Sequence, residues 1–491
     1  MAWVGLALAC AKQARPAEAA APSTPGPARP AAAPVSDALA VQRPANGEFF
    51  GLYLMGRKVG YIFENLGPLP SSPGQARAVT ELFFKANVGQ NVSERRYRET
   101  RVYEAKPSGR LLSFVVEAHG DGGDQVLEGT ATPSGLRVIR KRPDRPNEVL
   151  NLPPSREVIE DADQARVAIL RGRTVEGVIT DGQDLENYKL TTTFGDHTSR
   201  WVGGVNVRLA KAVTVSEKEK VPVEAYVDEK GRIVELDFGA TMRAMAEPET
   251  MAKRLDQVEV FGLTRIVLPK RAPPSARDVP GALTLVLDGL PESFRKNTYR
   301  QTFRALAGGL VEASLRAAAP TAKRKVRPLL DPNGGANLKS SIIVESDDPQ
   351  IRAQSEKILE GEKDAYTATK KIVRWVNLNM TKDYGASADR ATDVLRQMRG
   401  DCTEHALLAI SLLRAAGIPA RRVDGVVYMV NDDQVPALYW HEWVEAYVGE
   451  WTQLDPTFGQ DVADATHFAV GEEGNAEITP LIGQLKVADV R

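Results

Sequence analysis

From about Gly47 to Pro269, apolar and polar residues alternate in short runs broken by glycine-containing turns. Gly47 to Leu54 is rich in Phe and Tyr, Met55-Gly56-Arg57-Lys58 reads as a turn, and Val59-Gly60-Tyr61-Ile62-Phe63 follows. A period of two bounded by turn residues predicts hairpins of an antiparallel sheet. Two stretches look alike. Val102-Tyr103-Glu104-Ala105-Lys106-Pro107-Ser108-Gly109-Arg110-Leu111-Leu112 and Tyr226-Val227-Asp228-Glu229-Lys230-Gly231-Arg232-Ile233-Val234 both run strand, polar turn, Gly-Arg, strand. Either a β-unit is duplicated or two hairpins use the same turn chemistry. Arg271-Ala272-Pro273-Pro274 marks a linker, and Leu283 to Leu287 reads as a strand in a small connecting segment, residues 270–339.

From about Ser340 the period becomes helical. Asp348 before Pro349 supplies an N-cap and a proline at the first helical position. Ala365, Ala368, Ile372 and Trp375 share a helix face, and Thr392 to Met398 predicts a short helix stopped by Gly400. The helix opening at Cys402 is apolar almost all round. Arg414 is its only charge between His405 and Gly417, so this helix is buried. Gly417 and Pro419 end it. Val423–Met429 and Tyr439–Val448 read as strands, and Trp451–Asp455 as a returning strand closed by Pro456-Thr457. In the second strand Tyr439, His441, Trp443, Glu445 and Tyr447 share one face. His441 is expected to be partly desolvated between Trp440 and Trp443.

This pattern places chemistry. A cysteine at a helix N-terminus meets unsatisfied backbone N–H groups and the positive end of the helix dipole, which favour thiolate over thiol. The same N–H groups suit an oxyanion. A histidine on a following strand is either a structural residue or a base, and Asp455 after it is placed to orient such a base. One obstacle is visible. With Gly449-Glu450 as a two-residue loop, Asp455 would stand opposite Val444, about three residues along the strand from His441. At about 3.3 Å per residue that is too far for a hydrogen bond. Direct pairing predicts a turn centred near Val448, or a bulge.

Gly400-Asp401-Cys402-Thr403-Glu404-His405-Ala406, Leu413 to Arg421, His441-Glu442-Trp443-Val444-Glu445-Ala446-Tyr447 and Leu454-Asp455-Pro456-Thr457 resemble, in that order, the blocks of the transglutaminase-like core family. The resemblance covers roughly residues 340 to 460. It implies an α+β class with a papain-like core at the C-terminus, preceded by the β-rich antiparallel region. It also implies catalytic roles for Cys402 (nucleophile), His441 (base) and Asp455 (its third member). The implied activity is cysteine acyl transfer on a protein or peptide carboxamide through a thioester, with no cofactor or metal. A cysteine protease or amidase, or a non-catalytic envelope scaffold, remain open beside it. His405 reads as a helix-start residue packed on the sheet.

Composition adds limits. The chain has 491 residues and a formal net charge of −1, enough for two to four domains and no electrostatic case for nucleic acid. Val4-Gly5-Leu6-Ala7-Leu8-Ala9 before Cys10 resembles the end of a bacterial lipoprotein signal, without the basic residues that usually precede one. Ala- and Pro-rich sequence follows to about residue 45, the composition of a tether. The expected organisation is export signal and tether (1–45), β-rich domain (46–269), connecting segment (270–339) and catalytic core with C-terminal extension (340–491). The protein would be exported, periplasmic or lipid-anchored through Cys10, with Cys402 left as a thiol.

Overall fold

The computed structural model describes residues 37–491 except 89–90, 106–107, 121–123, 144, 182–184, 186, 203, 218–221, 240, 273–279, 322–324, 342, 384–387, 389, 432 and 473–480. Cys10 and most of the Ala/Pro-rich stretch lie outside the described residues. The described residues form two compact units, one mainly of residues 37–258 and the other of 259–491.

The first unit is one antiparallel sheet, fourteen strands among the described residues, between Glu48 and Ala246. Most neighbours in sequence are neighbours in the sheet, as short turns dictate. The first strand, Glu48–Leu54, also pairs with the last, Met242–Ala246, with Phe50 opposite Ala246 and Leu54 opposite Met242. The two similar stretches are both hairpins of this sheet. Each has a register shift before its turn, between Val102 and Tyr103 and between Tyr226 and Val227. Each places its glycine at positive φ, Gly109 at 67° and Gly231 at 75°, where a Cβ would be strained.

The second unit is α+β. Its longer helices are Pro349–Leu359, Ala365–Asn379, Ala391–Gln397 and the cysteine helix Cys402–Ala415. Asp348 caps the first, accepting from the N–H of Gln350 at 2.8 Å. The principal sheet pairs Ala420–Val430 with the histidine strand, Pro436–Tyr447, on one side and with His467–Glu472 on the other. Ile266–Val267 and Trp451–Leu454 pair with the histidine strand. Leu408, Leu412 and Leu413 of the cysteine helix are fully buried in a core with Ile372, Val376, Val444 and Ala446, each contributing about 2 kcal/mol by leaving water.

The stretch set apart above as a connecting segment is woven into this unit. Ala282–Asp288 pairs with Val311–Arg316 and with the last strand, Lys486–Val490. Its inward residues Leu283, Leu285, Leu287, Val311 and Ala313 have too little apolar surface of their own to form a core. They bury it against Val426, Leu438 and Phe468 of the principal sheet.

Candidate functional site

Cys402 is the first residue of its helix and is half-buried. The cap beneath it is reciprocal. Asp401 accepts the Thr403 N–H at 2.7 Å, and Glu404 accepts the Asp401 N–H at 2.9 Å, a capping box that fixes where the helix begins. Gly400 makes room for it, since a Cβ there would lie 2.3 Å from the Glu404 Cβ. Burial, then the neighbouring Asp401 charge, pushes the Glu404 carboxyl well above the usual range. His405 is fully buried and its Nδ1 lies 2.7 Å from the Asp401 carbonyl oxygen. A carbonyl only accepts, so Nδ1 carries the proton. Burial lowers the His405 pKa, and this histidine is neutral.

His441 lies on its strand with Nε2 2.7 Å from Asp455 Oδ2. Its ring stacks on Trp443 (centroids 5.9 Å apart, planes at 19°) and on Phe458 (4.9 Å, 29°). The expected flank by Trp440 does not form. Trp440 is one residue from His441 and so on the other face, where its Nε1 donates to the Thr264 carbonyl at 3.1 Å. Phe458, from the loop after Asp455, takes that place.

The turn that permits the His441–Asp455 contact is neither of the two foreseen. Tyr447 pairs with Trp451 and Val444 with Leu454 in unbroken register. Val448-Gly449-Glu450 is thus a three-residue loop, centred on Gly449 at φ 111°, with no bulge. Continuing that register sets Asp455 opposite Trp443, on the same face as His441 and two residues along. Such diagonal neighbours lie about 7 Å apart at the backbone, a gap that an imidazole and a carboxylate span together. At Asp455 the chain leaves the strand and forms a bridge with Gln460.

Asp455 is completely buried, and all its carboxylate bonds are accepted ones. Oδ1 accepts the N–H of Thr457 at 2.6 Å and of Phe458 at 2.9 Å. Oδ2 accepts from His441 and also from His467 Nε2 at 2.9 Å. Burial alone would raise this carboxyl. The two histidines outweigh it and hold the group well below the ordinary carboxylate range. An ionised Asp455 only accepts, so His441 carries its proton on Nε2, and Nδ1 holds the lone pair a base needs. Asp455 also exerts a charge effect on His405, and Glu442, beside His441, feels Asp401 and Glu404. The first turn of the cysteine helix is therefore within electrostatic reach of the histidine strand.

His467 was not singled out in the sequence. Its ring is buried, Nδ1 lies 3.1 Å from Asp464 Oδ1, and its edge meets Trp443 at 5.1 Å. The available signal was rarity: the chain has five histidines, and two of them, His441 and His467, meet at Asp455 Oδ2. The nitrogen and oxygen ligand atoms of His441, Asp455 and His467 all lie within 4.8 Å of one another, a set that suits a divalent cation by type. Here the two Nε2 protons already occupy the space between them and Oδ2.

Residues 352–456 match the family described as the transglutaminase-like superfamily. That stretch of the second unit, 352–456, is transglutaminase-like. An uncharacterised protein of Mycobacterium leprae is 33% identical over 95 residues, which is 18% of this chain and 34% of that protein, so the match spans about a third of that relative's length. Among solved structures, a candidate cysteine protease of Cytophaga hutchinsonii is 16% identical, covering 43% of this chain and 84% of that one, with a TM-score of 0.29. The periplasmic domain of TgpA from Pseudomonas aeruginosa, bound to ethylmercury, is 16% identical, covering 40% and 89%, with a TM-score of 0.25. The likeness of residues 352–456 to that superfamily rests on the family match. Among the described residues, no helix is long and apolar enough to cross a membrane.

Proposed function

We propose that the transglutaminase-like unit is a cysteine acyl-transfer enzyme on a papain-like core. Cys402 is its nucleophile, His441 its general acid and base, and Asp455 the residue that orients His441. The observation that carries this reading is the 2.7 Å bond from His441 Nε2 to a fully buried, ionised Asp455, with Cys402 opening a capped helix. His441 Nδ1 takes the Cys402 proton, and the thiolate attacks a carboxamide or peptide carbonyl. Backbone N–H groups at the helix start receive the oxyanion. His441 then gives the proton to the leaving amine, and a thioester remains. The acceptor that His441 next deprotonates decides the outcome: an amine gives a new amide, water gives an acid. The chemistry asks for no cofactor.

The substrate we propose is a protein or peptide carboxamide. We further propose an exported, periplasmic or lipid-anchored protein, from the sequence around Cys10 and the tether-like stretch that follows it. The test of the chemistry is Cys402 alkylation by iodoacetamide near neutral pH, paired with incorporation of a labelled primary amine into a glutamine-containing protein. Fast alkylation that His441→Ala abolishes supports the reading. Incorporation marks transfer, and acid release without it marks hydrolysis. A Cys402 no faster than a small-molecule thiol would sink it.

A further inference from the structure

His467 has an ionised carboxylate on each side. Asp455 Oδ2 lies 2.9 Å from Nε2 and Asp464 Oδ1 lies 3.1 Å from Nδ1. Asp464 is held as an acceptor by other donors: Oδ1 takes the Thr466 N–H at 2.8 Å and its hydroxyl at 2.5 Å, and Oδ2 takes the Gln460 amide at 2.9 Å. A neutral imidazole has one N–H and would turn a lone pair on one of these oxygens. Both bonds form only if both ring nitrogens are protonated. Burial disfavours that charge, and the two carboxylates outweigh it, raising the His467 pKa. The titratable groups facing His467 are Asp455 and His441 on one side and Asp464 on the other. Arg300 stands behind Asp464, donating to its carbonyl at 2.6 Å.

The consequence falls on Asp455. Its Oδ1 is fixed by two backbone N–H groups, and Oδ2 is shared between His441 and His467. We propose that His467 is a positioning residue of the acyl-transfer site: a buried imidazolium that pins Asp455 Oδ2 against His441 and ties it to Asp464. This rests on the proposed function above. The clamp itself carries one positive and two negative charges, so it leaves one net negative charge to face His441 when that ring takes the Cys402 proton.

The test uses two variants that divide the clamp. His467→Asn keeps an amide donor near the Nδ1 position, towards Asp464, and loses the bond to Asp455. His467→Gln reaches the Nε2 position and keeps a donor to Asp455. The readout is the pH midpoint of Cys402 alkylation by iodoacetamide, with Cys402→Ala as the blank and thermal melting as the fold control. Positioning predicts a midpoint shifted to higher pH by about one unit in His467→Asn, a tenfold change in the protonation equilibrium, and by less than half of that in His467→Gln. A purely structural His467 would shift neither. A His467 acting only as a distant positive charge would shift the midpoint to higher pH equally in both, since its loss disfavours the release of every nearby proton. Either result overturns the inference while wild-type reactivity still upholds the proposed function. A slow wild-type Cys402 overturns both. Should His467→Asn fail to fold, nitrogen-15 spectra of histidine-labelled wild-type protein decide. Two protonated His467 nitrogens at about pH 7 are expected, and a single one overturns the clamp.

Discussion

Asp455 reaches His441 on the diagonal. The strand register sets it across from Trp443, yet its Oδ2 accepts the His441 Nε2–H at 2.7 Å. The odd-numbered loop at Val448-Gly449-Glu450 puts both side chains on one face, and the length of two side chains closes the remaining two-residue offset.

Deleting Gly449 leaves Val448 and Glu450 between the Tyr447–Trp451 pair, and a two-residue turn in that register needs a positive φ that a β-branched valine does not tolerate. The pairing then either slips by one residue, turning Asp455 to the opposite face, or distorts the hairpin. Loss of activity by at least about 100-fold is expected, with the rest of the unit folded. Amine incorporation and a melting curve on the same sample check it. Activity within a few-fold of wild type would contradict the diagonal contact.

Asp455→Asn preserves shape and can still accept from Thr457 and Phe458 through its oxygen. It then presents an amide to His441, which favours the wrong tautomer of the ring. A fall in turnover on the order of 10³-fold or more is expected, with a smaller change in KM. Steady-state kinetics on a glutamine-containing substrate measure it.

Gly425 pairs with His441 on one side and with Ala469 on the other. A Cβ here would sit 2.2 Å from the Phe468 carbonyl oxygen and 2.6 Å from the Trp443 ring. Backbone cannot yield as a side-chain tip can. Gly425→Ala is expected to destabilise the second unit by about 2 kcal/mol or more and to displace Trp443 from His441. Denaturant unfolding followed by tryptophan fluorescence reports both.

The pH dependence of stability has a definite sign at each group. Asp455 and Asp464 are held below the ordinary carboxylate range, so their stabilisation is present above that range and lost as pH falls. His467 is raised, so its stabilisation is present below the ordinary histidine value and lost as pH rises through its folded value. Glu442 and Asp424 face each other across the sheet, buried. Both Glu442 oxygens lack a hydrogen bond among the described residues, and burial pushes that carboxyl well up despite Arg422. Its contribution is full below the ordinary carboxyl value and is lost as pH rises. Glu442→Gln removes that loss. Its melting temperature relative to wild type should increase from about pH 5 to about pH 8; a gap that shrinks over this range would contradict a buried, raised Glu442.

Much of the site was legible because it is local. A cap followed by an uncharged apolar run fixes a buried helix with Cys402 at its start, and a period of two fixes which residues share a face with His441. The flank of His441 was misread for the same reason: Trp440 is adjacent in sequence, but alternation sends it to the other face, and Phe458 arrives from a loop. Leu283, Leu285 and Leu287 announced a strand without naming its partners, Val311–Arg316 and Lys486–Val490.

The sequence by itself determined the elements, the order of Cys402, His441 and Asp455, and the likeness of residues 352–456 to the transglutaminase-like superfamily. These depend on side-chain period, capping and turn chemistry, which act within a few residues. Tertiary structure alone decided the diagonal reach of Asp455, the approach of Trp443 over Gly425 and the placement of His467 between Asp455 and Asp464. Each of those depends on register between strands and on burial. Register is set by loop length and by which apolar faces find partners, and burial is what turns a histidine between two carboxylates into a fixed charge.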